Sequence, residues 1–272
     1  MARVILPESS IKARRLRRRA ILLWGSAVTL LLLCGGGVWL ANASFLRIKT
    51  IEAVGAKTVA AEALTAQVER QITGSYLSIF PKDNIFLYPK KTIVAQLLTA
   101  YPTLKNVSVR AENFSTISIT ALDREPRALW CGKTLESIAP CLLLDEDGVV
   151  YAEAPEFSES PYARYFGTLS GEGLPGQYLS SETFRSLAAL VDAMAQHQTE
   201  NKVESVFVDE EKDARILFKN GFVLIFVLTD DGGEVFERFT LALTAEPFKN
   251  HTLAEFEYLD LRFGDKLYYK MK

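Results

Sequence analysis

The sequence predicts an α+β protein carried on one apolar N-terminal helix. Three observations lead there: an uncharged run from Ala20 through Leu46 behind a cluster of arginines, apolar residues at helical spacing in four segments, and short alternating segments set off by Gly, Asn and Asp.

At a rise of about 1.5 Å per residue, Ala20 to Ala41 is long enough to cross a hydrocarbon core of about 30 Å as one helix. Arg14, Arg15, Arg17, Arg18 and Arg19 precede it directly. Because Lys and Arg tracts stay on the cytoplasmic side, residues 1–19 are expected inside, 20–42 in the membrane and the rest outside. That is a single-pass type II protein of the inner (cytoplasmic) membrane. Ala41-Asn42-Ala43 satisfies the small-residue pattern of a signal-peptidase site, yet the preceding apolar run exceeds the 7 to 15 residues of a secretory signal, which favours retention as an anchor. Leu31-Leu32-Leu33-Cys34 is distantly similar to a lipoprotein box, but Leu33 is bulky where a small residue is needed. Gly35, Gly36 and Gly37 permit close helix approach, and equally are tolerated within a span.

Beyond the span, Ile48, Ile51 and Val54 read as a first strand ended by Gly55. Thr58 is placed to cap a helix in which Val59, Ala63, Leu64, Val68 and Ile72 recur until Gly74. A second helix follows Pro89, with Ile93, Leu97 and Leu98 on one face and Tyr101-Pro102 at its end. Val107 with Val109, and Ile117 with Ile119, alternate with polar neighbours as two half-buried strands. The order is strand, helix, helix, strand, strand.

After Pro126 short strands and turns dominate. Leu129-Trp130-Cys131 and Cys141 to Leu144 form the sides of a hairpin, and Asp145-Glu146-Asp147-Gly148 opens into Val149-Val150-Tyr151. The strongest hairpin signal is Asn220-Gly221 between Ala214–Lys219 and Phe222–Leu228. Glu182 to His197 and Val235 to Leu243 read as helices, and Phe256–Arg262 and Leu267–Lys270 as closing strands.

The tail carries +6 in a chain of net −2, so the exported part carries −8. An acidic exported part lacks the basic face that nucleic-acid binding needs. The acidic runs Asp145-Glu146-Asp147 and Asp230-Asp231 adjoin glycines between strands, where Asp serves turn geometry. Asp145-x-Asp147-Gly148 resembles part of a calcium loop, but the other ligands of a twelve-residue loop do not follow. With His197 and His251 the only histidines, no nucleophilic or metal constellation assembles, and neither enzyme chemistry nor a cofactor is expected. Cys34 falls in the span as a small apolar residue. Cys131 and Cys141 lie outside, where a disulfide persists if geometry allows; spacing alone leaves the pair open.

The strand-helix-helix-strand-strand order just outside one span resembles a POTRA domain. Phe45, Ile48, Ile51, Val54 and Gly55 are similar to the opening of the FtsQ/DivIB cell-division family, and Asn84-Ile85-Phe86 and Tyr101-Pro102 with Val107 and Val109 to its middle. Asp123-Arg124-Glu125-Pro126 resembles its Glu-Arg-x-Pro boundary, and Leu144-Asp145-x-Asp147-Gly148 the hairpin that follows. The most specific likeness is Leu259-Asp260-Leu261-Arg262-Phe263-Gly264 with Leu267-Tyr268-Tyr269-Lys270, similar to the family's closing segment. Two departures fall at Glu112-Asn113-Phe114, where a proline is usual, and at Cys131 and Cys141, which are not a general family feature.

The resemblance implies a POTRA domain over 45–122 and a β-rich domain over 123–272. It further implies a non-enzymatic divisome adaptor at the division septum, linking septal cell-wall synthesis to the division machinery. Such a protein binds FtsB/FtsL-type single-span partners and other divisome proteins outside the membrane, with lipid around its span. Arg262, Phe263, Leu267, Tyr268 and Tyr269 are the expected partner contacts. A last strand left at a sheet edge suits this role, since its unpaired N–H and C=O groups accept a further strand. A POTRA-bearing protein of membrane assembly or transport is the rival reading. It calls for a long series of amphipathic strands, which residues 123–272 do not offer.

Overall fold

The computed structural model describes residues 8–157, 160–171, 173–198, 201–228, 231–264 and 266–272. In chain order the elements are α1 (Glu8–Ala41), β1 (Thr50–Val54), α2 (Ala61–Ile72), β2 (Ser75–Tyr76), β3 (Phe80–Pro81), α3 (Lys90–Ala100), β4 (Leu104–Ala111), β5 (Thr116–Asp123), β6 (Pro126–Trp130), β7 (Leu142–Asp145) and β8 (Val149–Glu153). They continue with β9 (Arg164–Phe166), β10 (Gly176–Gln177), α4 (Ser181–His197), β11 (Val203–Val208), β12 (Asp213–Phe218), β13 (Val223–Val227), α5 (Gly232–Thr244), β14 (Phe256–Phe263) and β15 (Lys266–Met271). This is a mixed α+β chain with an apolar N-terminal helix. It divides into two compact units, 1–98 with 106–122, and 99–105 with 123–272.

Within α1, Ala20–Ala41 has a mean hydropathy of 2.0 and none of it is buried by protein, so it is long and apolar enough to cross a membrane. The helix begins at Glu8, well before the apolar stretch, because nothing in the arginine-rich segment breaks it. In the first unit β5 lies between β1 and β4, and β1 pairs with it in parallel from Thr50↔Thr116 to Val54↔Thr120. Helix α2 buries Leu64, Val68 and Ile72, one i, i+4, i+8 stripe, and α3 buries Ile93 and Leu97. One expectation changes here. Ala60, not Thr58, occupies the N-cap of α2. In β1 alternation turns Ile51 and Ala53 inward and leaves Val54 56% exposed.

The second unit is built on a ten-stranded sheet ordered β10-β8-β7-β6-β9-β11-β12-β13-β14-β15. The Asn220-Gly221 hairpin forms as the sequence predicts. Gly221 takes φ +83°, and the Asn220 side chain accepts from the Phe222 N–H. Alternation along β11 to β14 puts Val206, Ile216, Leu224 and Leu259 on one face. Helix α4, with Phe184, Leu187 and Met194, and α5, with Val235 and Phe239, bury the same core. Strands β9 and β11 have no counterpart in the sequence reading. Three-residue β9 is held by parallel pairing to both β6 and β11, a long-range arrangement without a local signal. A smaller cluster of Leu129, Cys131 and Phe166 contains the Cys131–Cys141 disulfide, whose Cα atoms are 4.2 Å apart.

Candidate functional site

Strand β15 ends the ten-stranded sheet, paired on one side to β14 and on the other to nothing among the described residues. All six of its residues are exposed. Register with β14 assigns its faces. Tyr269 sits opposite Leu259, which faces the core, whereas Tyr268 sits opposite Asp260, which faces away from it.

On the core side Tyr269 is edge-on to Phe248 at 5.5 Å and to Phe256 at 5.9 Å between ring centroids. On the other side Tyr268 is edge-on to Phe263 at 5.1 Å, with both rings about half exposed. Leu267 joins Leu241, Ala242, Ala245 and Leu261 in lining an open groove of about 610 Å³ between α5 and β15, with Arg238, Glu234 and Lys266 at its margin. Leu241 is 68% exposed because it lies off the inward stripe of Val235, Phe239 and Ala242. The sequence reading missed this residue. Its signal was a leucine two positions beyond Phe239, on the helix face turned from the core.

Arg262, an expected partner contact, makes a set of bonds within the chain. Its Nε donates to Asp260 Oδ1 at 3.0 Å and its Nη2 to Asp260 Oδ2 at 2.7 Å, and Nη1 bonds Asp213 on β12. Its guanidinium also lies 5.6 Å from the Phe263 ring. These carboxylates hold the Arg262 pKa above its ordinary value. Asp260 is nearly buried, which opposes its ionisation, but the Arg262 side-chain and backbone bonds outweigh that and keep its pKa below the usual carboxylate range. Arg262 therefore props the exit of β14, and the exposed apolar side chains fall on two faces of the edge: Phe263 with Tyr268 on one, Leu267 in the α5 groove on the other. The turn between the strands is held by Arg238 of α5, whose Nη2 donates to Leu261 O at 2.8 Å and also to Gly264 O. Asp265 lies outside the described residues.

Strand, groove and aromatic pair thus offer three recognition elements on one edge: backbone groups, an apolar slot and exposed rings. Their chemistry is that of strand addition, in which main-chain bonds give affinity and alternate side chains give specificity.

Against known protein families and against proteins of curated function, the chain matches no family model and no curated protein.

The acidic runs serve the fold. Asp145, 1% exposed in its side chain, accepts from the N–H groups of Asp147 and Val149 at 2.9 Å each and pairs with Arg124. Asp147 bonds Lys105 and Arg185, and the Lys105 bond leads in holding its pKa below the usual range. Asp231 caps α5 by accepting from the Gly233 N–H at 2.9 Å; its neighbour Asp230 lies outside the described residues.

Proposed function

We propose that this chain is a bitopic, non-enzymatic adaptor of the bacterial divisome. In this reading α1 anchors it, the first unit is a POTRA domain, and the second docks FtsB/FtsL-type single-span partners outside the membrane. The observation that carries the reading is the edge strand β15 with the α5 groove beside it. An edge strand of six residues without a partner is a liability unless something covers it. Tyr268, Phe263 and Leu267 would supply the apolar contacts, and Leu241 extends them onto α5. The resemblance from the basic tail to the closing Leu-Tyr-Tyr-Lys segment supports the divisome assignment.

The experiment is co-purification of the full chain with an FtsB/FtsL-type pair in detergent, together with a fluorescent fusion in dividing cells. Capture that is lost in Tyr268→Glu, and a ring at midcell, are expected. Uniform membrane fluorescence with no capture overturns the reading.

A further inference from the structure

The outer end of the membrane helix carries an apolar fringe that the docking edge does not use. Residues 75–81 form a tight hairpin in which Ser75 pairs with Pro81 and Tyr76 with Phe80. Its tip, Leu77 and Ser78, takes φ of +50° and +60°, the left-handed region that a leucine rarely adopts. Leu77 is 85% exposed there, and Ile79 is 49% exposed. A tip built for solvent would carry Gly, Asn or Asp at these positions.

What lies beside this tip is the end of α1. The Asn42 side chain donates to Val38 O at 2.9 Å within the helix and to Ile79 O at 3.1 Å in the hairpin. A second link comes from Asn84, 1% exposed, whose side chain donates to Ala41 O at 2.8 Å. The Ile85 N–H donates to Leu46 O at 2.9 Å. Leu46 and Ile85 are both buried, and their chain neighbours Phe45 and Phe86 are 55% and 71% exposed. Four apolar side chains, Phe45, Leu77, Ile79 and Phe86, are thereby held within three residues of groups fastened to Ala41 or Asn42.

Height fixes what covers them. Trp39, 73% exposed in the last turn of the span, marks the outer lipid–water boundary as aromatic residues at span ends do. The hairpin is bonded three residues beyond it. Two residues of chain reach about 7 Å at most, so Leu77 stays within about one interfacial layer of the Ile79 carbonyl. The Lys82 ammonium, just beyond the hairpin, lies 5.5 Å from the centroid of the Tyr76 ring. We infer that the fringe of Phe45, Leu77, Ile79 and Phe86 inserts into the outer leaflet's interfacial region, so that the first unit rests on lipid beside its own anchor. The inference relies on Ala20–Ala41 spanning a membrane and on no partner assignment.

The test uses the full chain with Cys34→Ala, reconstituted in phosphatidylcholine–phosphatidylglycerol vesicles. An environment-sensitive fluorophore is placed in turn on Leu77→Cys, Ile79→Cys, Phe86→Cys and, as reference at the far end of α2, Glu62→Cys. The substituted side chains are exposed, and circular dichroism verifies the fold of each variant. Expected are a blue shift, quenching by a lipid spin-labelled near the headgroup and loss of iodide quenching at 77, 79 and 86, with the opposite at 62. Iodide quenching equal to that at 62 overturns the inference, and so does shielding without lipid quenching, which would mean that protein covers the fringe. Flotation of the same samples with the vesicles reports the anchor separately: floating protein with iodide-exposed probes sinks the lipid contact alone, and protein that does not float sinks both.

Discussion

Tyr269 stands edge-on to Phe256 with 5.9 Å between ring centroids, while its neighbour Tyr268 faces the opposite way and meets Phe263. Phe256 is fully buried and Phe263 is 54% exposed. Adjacent tyrosines in one edge strand thus differ in environment, one packed against core aromatics and the other exposed on the opposite face.

Charge at these two positions should therefore have separable effects. Tyr269→Glu is expected to lower stability by about 1–2 kcal/mol through loss of its aromatic contacts, or roughly 2–8 °C in Tm. Tyr268→Glu is expected to leave Tm within about 1 °C and to abolish partner capture. Thermal unfolding followed by co-purification checks both, and equal destabilisation by the two variants would contradict the facing.

Acid should weaken the Arg262 fork once pH falls below the usual carboxylate range. Asp260 and Asp147 both have folded pKa values held below the usual range, so the stability they contribute is present above about pH 4 and is lost as pH falls through their lowered values. Urea midpoints are expected to be level from pH 7 to about pH 5 and to fall below about pH 4. In Arg262→Gln the nearly buried Asp260 loses its counter-charge, and burial then raises its pKa. The fall should begin at higher pH in that variant, on top of a loss of about 2–4 kcal/mol at pH 7. An unchanged acid profile would show that the fork does not hold Asp260 ionised.

Much of this architecture is legible in local sequence, and the illegible part is what depends on distant pairing. Helices α2 and α4 were readable because Leu64, Val68 and Ile72, or Phe184, Leu187, Val191 and Met194, repeat at the helical period over more than two turns. The β12–β13 hairpin was readable from Asn220-Gly221 alone. Strand β9 was not, since Arg164–Phe166 is too short to show a period and exists by bonding β6 and β11 at once. The candidate edge divides in the same way. Tyr268 and Tyr269 were found from strand alternation, but the intramolecular use of Arg262 needs Asp213, 49 residues away, and the groove needs α5 beside β15.

The Cys131–Cys141 disulfide closes a loop of ten residues inside the smaller buried cluster. For that loop length the constraint on the unfolded chain is worth about 2–3 kcal/mol. Reduction under native conditions, or paired Cys131→Ala and Cys141→Ala, is expected to lower the unfolding free energy of the second unit, read from urea titration, by that amount. Partner capture through Tyr268 should persist wherever the unit remains folded, because the bond lies among β6, β7 and β9 rather than at β15. Stability that does not change on reduction would mean that the thiols are not paired in the protein as produced.

Arg124 ties three parts of the second unit together. Its Nη1 pairs with Asp145, its Nε donates to Pro102 O at 3.1 Å, and its backbone N–H donates to Thr103 O at 2.8 Å. It therefore ties residues 99–105 to the turn at 145–148 within the second unit. Asp145 in turn organises that turn through the Asp147 and Val149 N–H groups. Arg124→Met keeps the apolar stem but leaves a carboxylate of 1% exposure without its cation, a change of about 3–5 kcal/mol. Arg124→Lys should recover only part of this, because one ammonium is poorly shaped to reach both Asp145 and the Pro102 carbonyl. The double variant Arg124→Met with Asp145→Asn should be closer to the wild type than the sum of the two changes, since the uncompensated charge is gone although the turn contacts weaken. Strict additivity in urea unfolding would show that the pair is not coupled and that the turn stands without it.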